Sequence, residues 1–521
     1  LGMSQSGHLF IVQADLTRVA ADAFLVPCDD ELNVSGTWRP FLEPGASPQA
    51  KEDWFLPQGV QLENGLAVLP DTTPKNPTPD QVVGLRVLVD TVGVDDIAAM
   101  VTRSLDAVRL AASQAQRHGG RILPLVAMPV LGVGQGNFKG HRAEVVRELL
   151  RRLLDFVAQN PIDVALSLTR TSDFAAAQWA RHRLAAEGRD CWPELNDEHA
   201  GLADRLGAMA SRGELSVFAG AGVSKPVGFP DWNQLIRDVS RKPKLRIPDD
   251  ADYPQLAQKL GLQNKSDMIA ALLTTSKHAL GHALLVNLRT PSLVTTNYDP
   301  CFENAAELIH QDPKLRVIAR ELAVGGRPWL LKLHGDVADP PSIVLTTSQY
   351  ARLKEDHAAL RGVVQTLMLT SHLLFVGFGF AASDFLAMST AVKNVRSLAK
   401  DKDAEATVGT AIALCRPAEK PREDELDHHH LRTDQNFNAA ARDLEILLDR
   451  LSWRCQVEGQ GRAGYLLDDD YQHDANGHDE ALVEALSQLQ KGAESWRNSA
   501  GAKAVNDLLL SFGARPNVAS P

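Results

Sequence analysis

Leu215-Ser216-Val217-Phe218-Ala219-Gly220-Ala221-Gly222-Val223-Ser224 is an apolar run that empties into two glycines and a serine. A short apolar run bounded by glycine predicts a buried strand of a parallel sheet. The Gly-Ala-Gly after it lets the backbone turn tightly and approach a ligand closely. Alone, the motif reads equally well as an ordinary tight turn. Recurrence gives it meaning: Ser292-Leu293-Val294 runs into Thr295-Thr296-Asn297-Tyr298-Asp299, Trp329 to Leu333 into His334-Gly335-Asp336, and Leu373 to Val376 into Gly377-Phe378-Gly379-Phe380. Ligands of open parallel sheets bind outside the carboxyl ends of the strands, so these four termini are expected to face one crevice. Taken singly, Asn297 reads as a turn residue and His334 as a hydrogen-bonded structural histidine.

Upstream, the pattern is that of a separate α/β three-layer unit. His8 to Gln13, Ala23 to Pro27, Leu85 to Asp90, Arg121 to Leu131 and 163 to 169 read as strands, and 95 to 117, 141 to 158 and 171 to 187 as helices. The insert after Asp29 is rich in turns, and Pro70 to Asp80 holds four prolines in eleven residues, which predicts an exposed loop. Gly132-Val133-Gly134-Gln135-Gly136-Asn137-Phe138 follows the fourth strand, and its three glycines could converge N–H groups on an anion or simply form a flexible connection. Glu187 to Ala200 is polar, acidic and broken by Pro193, the composition of a linker.

At 521 residues the chain exceeds one core. With 44% apolar and 23% charged residues it is an ordinary globular composition. A net charge of -11 argues against a nucleic-acid coat. Cys28, Cys191, Cys301, Cys415 and Cys455 form no C-x-x-C pair, so neither a disulfide framework nor a thiolate zinc site is expected. The absence of a membrane-length apolar run or a leader-like start predicts a cytoplasmic chain.

Downstream, Val395 to Ala406 reads as a solvated loop or helix end, Gly409 to Cys415 as a late strand, and Leu444 to Val457 as a helix. Asp427-His428-His429-His430 reads as a solvated loop rather than a metal site, and Asp468 to Asp474 as an acidic surface turn without calcium-loop spacing. Ala481 to Leu489 and Ala504 to Leu510 read as amphipathic helices suited to pack on the domain before them or on another subunit.

From Leu202 to Cys415 the order of motifs resembles the Sir2 family. Gly220 to Ser224, Gly228-Phe229-Pro230-Asp231-Trp232, Thr296 to Asp299 and Leu333 to Asp336 correspond to its NAD-binding loop, flap, Asn-x-Asp strand end and catalytic histidine. Sirtuin deacylases carry a zinc ribbon of two C-x-x-C pairs. Its absence makes the chain similar instead to the zinc-free Sir2-like domains of bacterial anti-phage proteins that degrade NAD. Residues 8 to 187 resemble macrodomains, which bind ADP-ribose: Asp15-Leu16-Thr17, Asp22 to Leu25 and the glycine run match, whereas Pro27-Cys28-Asp29-Asp30 stands where the hydrolytic members carry asparagines.

These resemblances imply a macrodomain-like three-layer α/β domain (8–187), a linker (188–200), a Rossmann-like parallel-sheet Sir2-type domain (201–460) and a helical extension (461–521). They imply NAD as substrate, no zinc, and cleavage of the nicotinamide–ribose bond. Asn297 and His334 would be catalytic, and Gly220, Ala221, Gly222, Ser224, Phe229, Asp231, Asp299, Gly377 and Gly379 would contact NAD. Asp15, Gly132, Gly134, Gly136 and Phe138 would form a second nucleotide site. An unregulated NADase would starve its own cell, so a nucleotide or phage-derived trigger is expected, together with homo-oligomers and no membrane or nucleic-acid partner. A protein ADP-ribosyltransferase and a catalytically silent nucleotide sensor are the alternative readings.

Overall fold

The computed structural model describes residues 6–43, 59–73, 79–81, 84–248, 251–310, 314–318, 320–321, 328–356, 358–377, 392, 407–416, 426–459, 461–474, 479–496 and 498–514. Gly379 and all of 395 to 406 lie outside these residues. The chain is mixed α/β, built on two sheets that are almost wholly parallel.

The first sheet contains β1 (Leu9–Gln13), β2 (Ala23–Cys28), β3 (Leu66–Leu69), β4 (Leu85–Asp90), β5 (Leu125–Met128) and β6 (Asp163–Leu168) in the order β1-β6-β5-β2-β4-β3. Only β3 runs antiparallel, and it lies in the stretch read as turns. Pro124 and Pro129 bracket β5 because proline cannot donate to a ladder, so the strand is shorter than Arg121 to Leu131. The helix Ile97–Gln114 starts where the Asp96 carboxylate accepts the Ala99 N–H, and buries Met100, Val101, Leu105, Val108 and Ala111 at helical spacing.

The second sheet contains β7 (Leu215–Ala219), β8 (Ser292–Thr295), β9 (Arg316–Ile318), β10 (Trp329–Lys332), β11 (His372–Val376), β12 (Gly409–Cys415) and β13 (Leu426–Arg432), in the order β13-β12-β11-β7-β8-β10-β9, all parallel. The expectation of a loop at Asp427 to His430 is corrected. These residues form the edge strand β13, because pairing with β12 satisfies their backbone while the histidines stay half-exposed.

The two sheets share one continuous apolar core, which includes Phe10, Phe174, Leu206, Leu284 and Leu447. The helix Phe437–Gly459 and its neighbours cover the open edge of β1. Asp449 accepts the Ile11 N–H, Arg181 donates to the Leu9 carbonyl (2.7 Å), and Asn287 accepts the Gln13 N–H (2.8 Å) and donates to its carbonyl (3.0 Å). An edge that would otherwise invite a foreign strand is closed by side chains. Within the stretch read as a linker, Cys191 and Trp192 are buried and Glu194 pairs with His8.

The acidic segment at Asp468 is corrected as well. Its carboxylate is buried, accepts the Ser172 hydroxyl (2.6 Å) and pairs with Arg170, while the Tyr471 hydroxyl donates to Asp173 (2.8 Å). The segment thus anchors the C-terminal extension to the helix Thr171–Ala186 of the first unit. Around it, the helices Glu480–Lys491 and Ala502–Ser511 bury Leu486 and Leu509 against Leu467.

Candidate functional site

Four adjacent strands, β11-β7-β8-β10, end in register. Val376 pairs with Ala219, Ala219 with Thr295, and Thr295 with Lys332. Each therefore delivers its next residues to the same sheet edge: Gly377, Gly220, Thr296 and Leu333, then Ala221, Asn297 and His334.

The first two ends interlock. The Gly222 N–H donates to the Gly377 carbonyl (3.0 Å), and a Cβ on Gly222 would lie 2.9 Å from Gly377 Cα. Gly377 has φ +62, and a Cβ there would lie 2.7 Å from the Val223 nitrogen. Only glycine lets the two turns approach so closely. Gly228 closes the following turn with φ +94. Asp231 is exposed and accepts the Gln234 N–H (2.7 Å), capping the helix Trp232–Ser240; Phe229 is half-buried against the apolar cluster under that helix.

Asn297 lies across the mouth of β7. Its amide nitrogen donates to the Gly220 carbonyl (3.2 Å) and to Ser224 Oγ (2.9 Å). Both amide hydrogens are thereby used, which fixes the carboxamide orientation. Asn297 Oδ1 is buried and has no hydrogen-bond partner among the described residues. The site thus presents an acceptor, not a donor, at this position. Ser224 Oγ is also 3.2 Å from Nε2 of the fully buried His282.

His334 follows β10. The Val344 N–H donates to its carbonyl (2.9 Å), and Tyr350 meets its ring edge-on with the hydroxyl 3.4 Å from Nδ1. Gly335 has φ +100 and presses against the Ser342 carbonyl. Beneath these loops the buried Lys332 amine donates to the carbonyls of Tyr298 (3.2 Å) and Asp299 (2.8 Å), and pairs with Glu303 (2.7 Å) and Asp336 (3.2 Å). One cation therefore ties the loop after β8 to the loop after β10.

His282, Asp299 and Cys301 bring one potential metal-ligand atom each within 4.8 Å of one another. The ring nitrogens of His282 and the thiol of Cys301 are already committed. His282 accepts the Ala279 N–H at Nδ1 and faces Ser224 with Nε2, Asp299 accepts the Cys301 N–H (3.1 Å), and burial, reinforced by Asp299, holds the Cys301 thiol protonated. The trio reads as a closed hydrogen-bonded cluster.

In the first unit a cleft of about 680 Å³ is lined by Asp15, Trp38, Gly132, Gly134, Gly136 and Arg142, among others. Four of the five residues expected there line it. Phe138 is instead buried beneath the turn, 2.9 Å from where a Cβ on Gly132 would stand. The Asp15 carboxylate accepts the N–H (3.0 Å) and hydroxyl (2.7 Å) of Thr17. Sequence reasoning missed His282 and Tyr350, which no motif surrounds, and Lys332, which stands within the third strand stretch but reads there as a strand residue.

The fold and site define an α/β protein whose parallel sheet gathers a glycine cradle, a fixed carboxamide and a histidine at its carboxyl edge. Residues 291–433 match the SIR2-like domain family. The chain is similar to the NAD(+) hydrolase ThsA of Enterococcus faecium, 28% identical over 193 residues, which is 34% of this chain and 40% of that relative. The NAD(+) hydrolase ThsA of Acinetobacter baumannii is 26% identical over 188 residues, 34% of this chain and 39% of that relative. Defense-associated sirtuin 2 of Bacillus subtilis is 24% identical over 204 residues, 36% and 20% of the respective chains. The similarity therefore spans at most 40% of the length of these relatives. No helix among the described residues is long and apolar enough to cross a membrane.

Proposed function

We propose that this chain hydrolyses NAD at the nicotinamide–ribose bond, giving nicotinamide, ADP-ribose and a proton, as a regulated effector of bacterial anti-phage defence. The observation that carries the reading is the buried Asn297 Oδ1 beside the glycine cradle, which has no hydrogen-bond partner among the described residues. An acceptor held there suits a ribose hydroxyl or the attacking water, and its burial strengthens the bond it makes. Backbone N–H groups of Gly220 to Ser224 would face the diphosphate, and Gly377 leaves room for it. His334 would take the proton that water or the ribose hydroxyl releases. Positive charge develops on the ribose as neutral nicotinamide departs, so the protein chiefly holds and orients its reactants. No zinc takes part in this scheme. The similarity to proteins named NAD(+) hydrolase and defense-associated sirtuin supports the same chemistry and setting.

In this reading the first unit is a macrodomain-like reader whose cleft takes the nucleotide trigger. The two units touch beside the glycine cradle, where Gly119 packs against Pro226. The test is to incubate the full chain with NAD, with and without candidate nucleotides such as ADP-ribose, and to measure free nicotinamide. Release should fall about 100-fold or more in Asn297→Ala and in His334→Ala. Wild-type rates in both variants would refute the assignment.

A further inference from the structure

We propose that His282 is a positioning residue of this site: it fixes the Ser224 hydroxyl and, through it, the Asn297 carboxamide. The inference rests on the NAD-hydrolase reading and assigns a role to a side chain on the helix Leu280–Val286, away from the four strand ends.

The Ala279 N–H donates to His282 Nδ1 (3.2 Å), so in the neutral ring the proton sits on Nε2. Nε2 faces Ser224 Oγ at 3.2 Å, so Nε2–H donates to it. Ser224 Oγ also accepts from the Asn297 amide at 2.9 Å. Both lone pairs of the serine are then occupied, and its own hydroxyl hydrogen is the one left to donate into the crevice. The second Asn297 amide hydrogen goes to the Gly220 carbonyl, so the chain of bonds leaves Oδ1 as the uncommitted acceptor among the described residues. Burial keeps the ring neutral, with its pKa lowered to about 4, so the arrangement persists at neutral pH. Asp299 and His278 are the charged or titratable groups acting on it, and Phe302 meets the ring edge-on at 4.7 Å.

The ring is also held from outside its own element. Residue 278 bonds to the first unit, with the Ala20 N–H donating to the His278 carbonyl (2.9 Å) and the His278 N–H to the Arg18 carbonyl (2.9 Å). That bridge sets the backbone of Ala279, whose N–H selects the His282 tautomer.

The test compares steady-state NAD hydrolysis by wild type, His282→Phe, His282→Gln, Ser224→Ala and the double variant His282→Phe/Ser224→Ala, all as full-length chains. His282→Phe keeps the ring volume but removes the donor, and is expected to lower kcat about 10- to 100-fold with KM changed less than about 3-fold. His282→Gln, which can place an N–H near the Nε2 position, should recover part of that loss. The double variant should be no slower than the slower single, because the two residues act as one unit. An unchanged kcat in His282→Phe, a loss confined to KM, or fully additive losses would overturn the inference. Should His282→Phe fail to fold, Ser224→Ala and nitrogen NMR of wild-type His282 decide: protonated Nε2 and bare Nδ1 support the proposal, and the opposite tautomer refutes it. Absence of hydrolysis in wild type under every nucleotide condition would instead count against the NAD-hydrolase reading, while the NMR tautomer still judges His282.

Discussion

Asn297 is held by two donated hydrogen bonds, and this makes its orientation testable. Asn297→Asp keeps an acceptor but sets a carboxylate oxygen against the Gly220 carbonyl, where a donor now sits. It should lose nicotinamide release about as severely as Asn297→Ala, on the order of 100-fold; a wild-type rate for Asn297→Asp would show that the carboxamide points the other way. Lys332 carries a structural counterpart of that constraint. Lys332→Met leaves Glu303 and Asp336 with the partly exposed Arg320 as their remaining cation (3.3 and 2.7 Å) and should cost about 1–3 kcal/mol, read as a lower thermal midpoint. Asn297 and His334 were legible because each stands two residues past an apolar strand. Lys332 reads in the sequence as one more strand residue, since three of the four groups it ties together, Tyr298, Asp299 and Glu303, lie about 30 residues away in the segment after β8.

Among the elements, the paired turns after β7 and β11 interlock backbone to backbone. Gly222→Ala and Gly377→Ala should each destabilise by about 1–3 kcal/mol, because the added methyl meets backbone that cannot move aside. Gly134→Ala is the control: it sits in a glycine run of similar appearance, yet a Cβ there meets nothing within 4 Å, so its melting curve should match wild type. Equal losses at all three positions would contradict the interlock. The parallel strands of both sheets were readable as apolar runs closed by turn residues. β13 was not, because three consecutive histidines become a strand only through pairing with β12. Asp468 misled for a related reason, since an acidic residue reads as solvated until Arg170 and Ser172 are placed beside it.

Across the whole molecule, a buried charge cluster sits between the two units within their shared apolar core. Arg181 and Asp449 are both fully buried and 2.5 Å apart, and Asp449 also accepts from Trp192 (2.8 Å) and faces His8 (3.2 Å). Burial disfavours a charged His8, but Glu194 and Asp449 outweigh it and raise its pKa from 6.5 to about 9. A pKa raised on folding contributes stability that is complete below about pH 6.5 and is lost as pH rises through about 9. The gap in thermal midpoint between wild type and His8→Gln should therefore be widest near neutrality or below and close by about pH 10; a gap independent of pH would refute a protonated His8. None of this joint was legible in the sequence, for Arg181, Asp449 and His8 stand in three separate segments and meet only once the edge of β1 is covered.

The central claim, that the strand-end site spends NAD on water, is tested most directly by one product analysis. The full chain is incubated with NAD, with and without a nucleotide for the first cleft, and nicotinamide, free ADP-ribose and protein-linked ADP-ribose are quantified together. Hydrolysis gives nicotinamide and free ADP-ribose in equal amounts, and both should be lost in Asn297→Ala. ADP-ribose found mainly on protein, or NAD left intact under every condition, would contradict it.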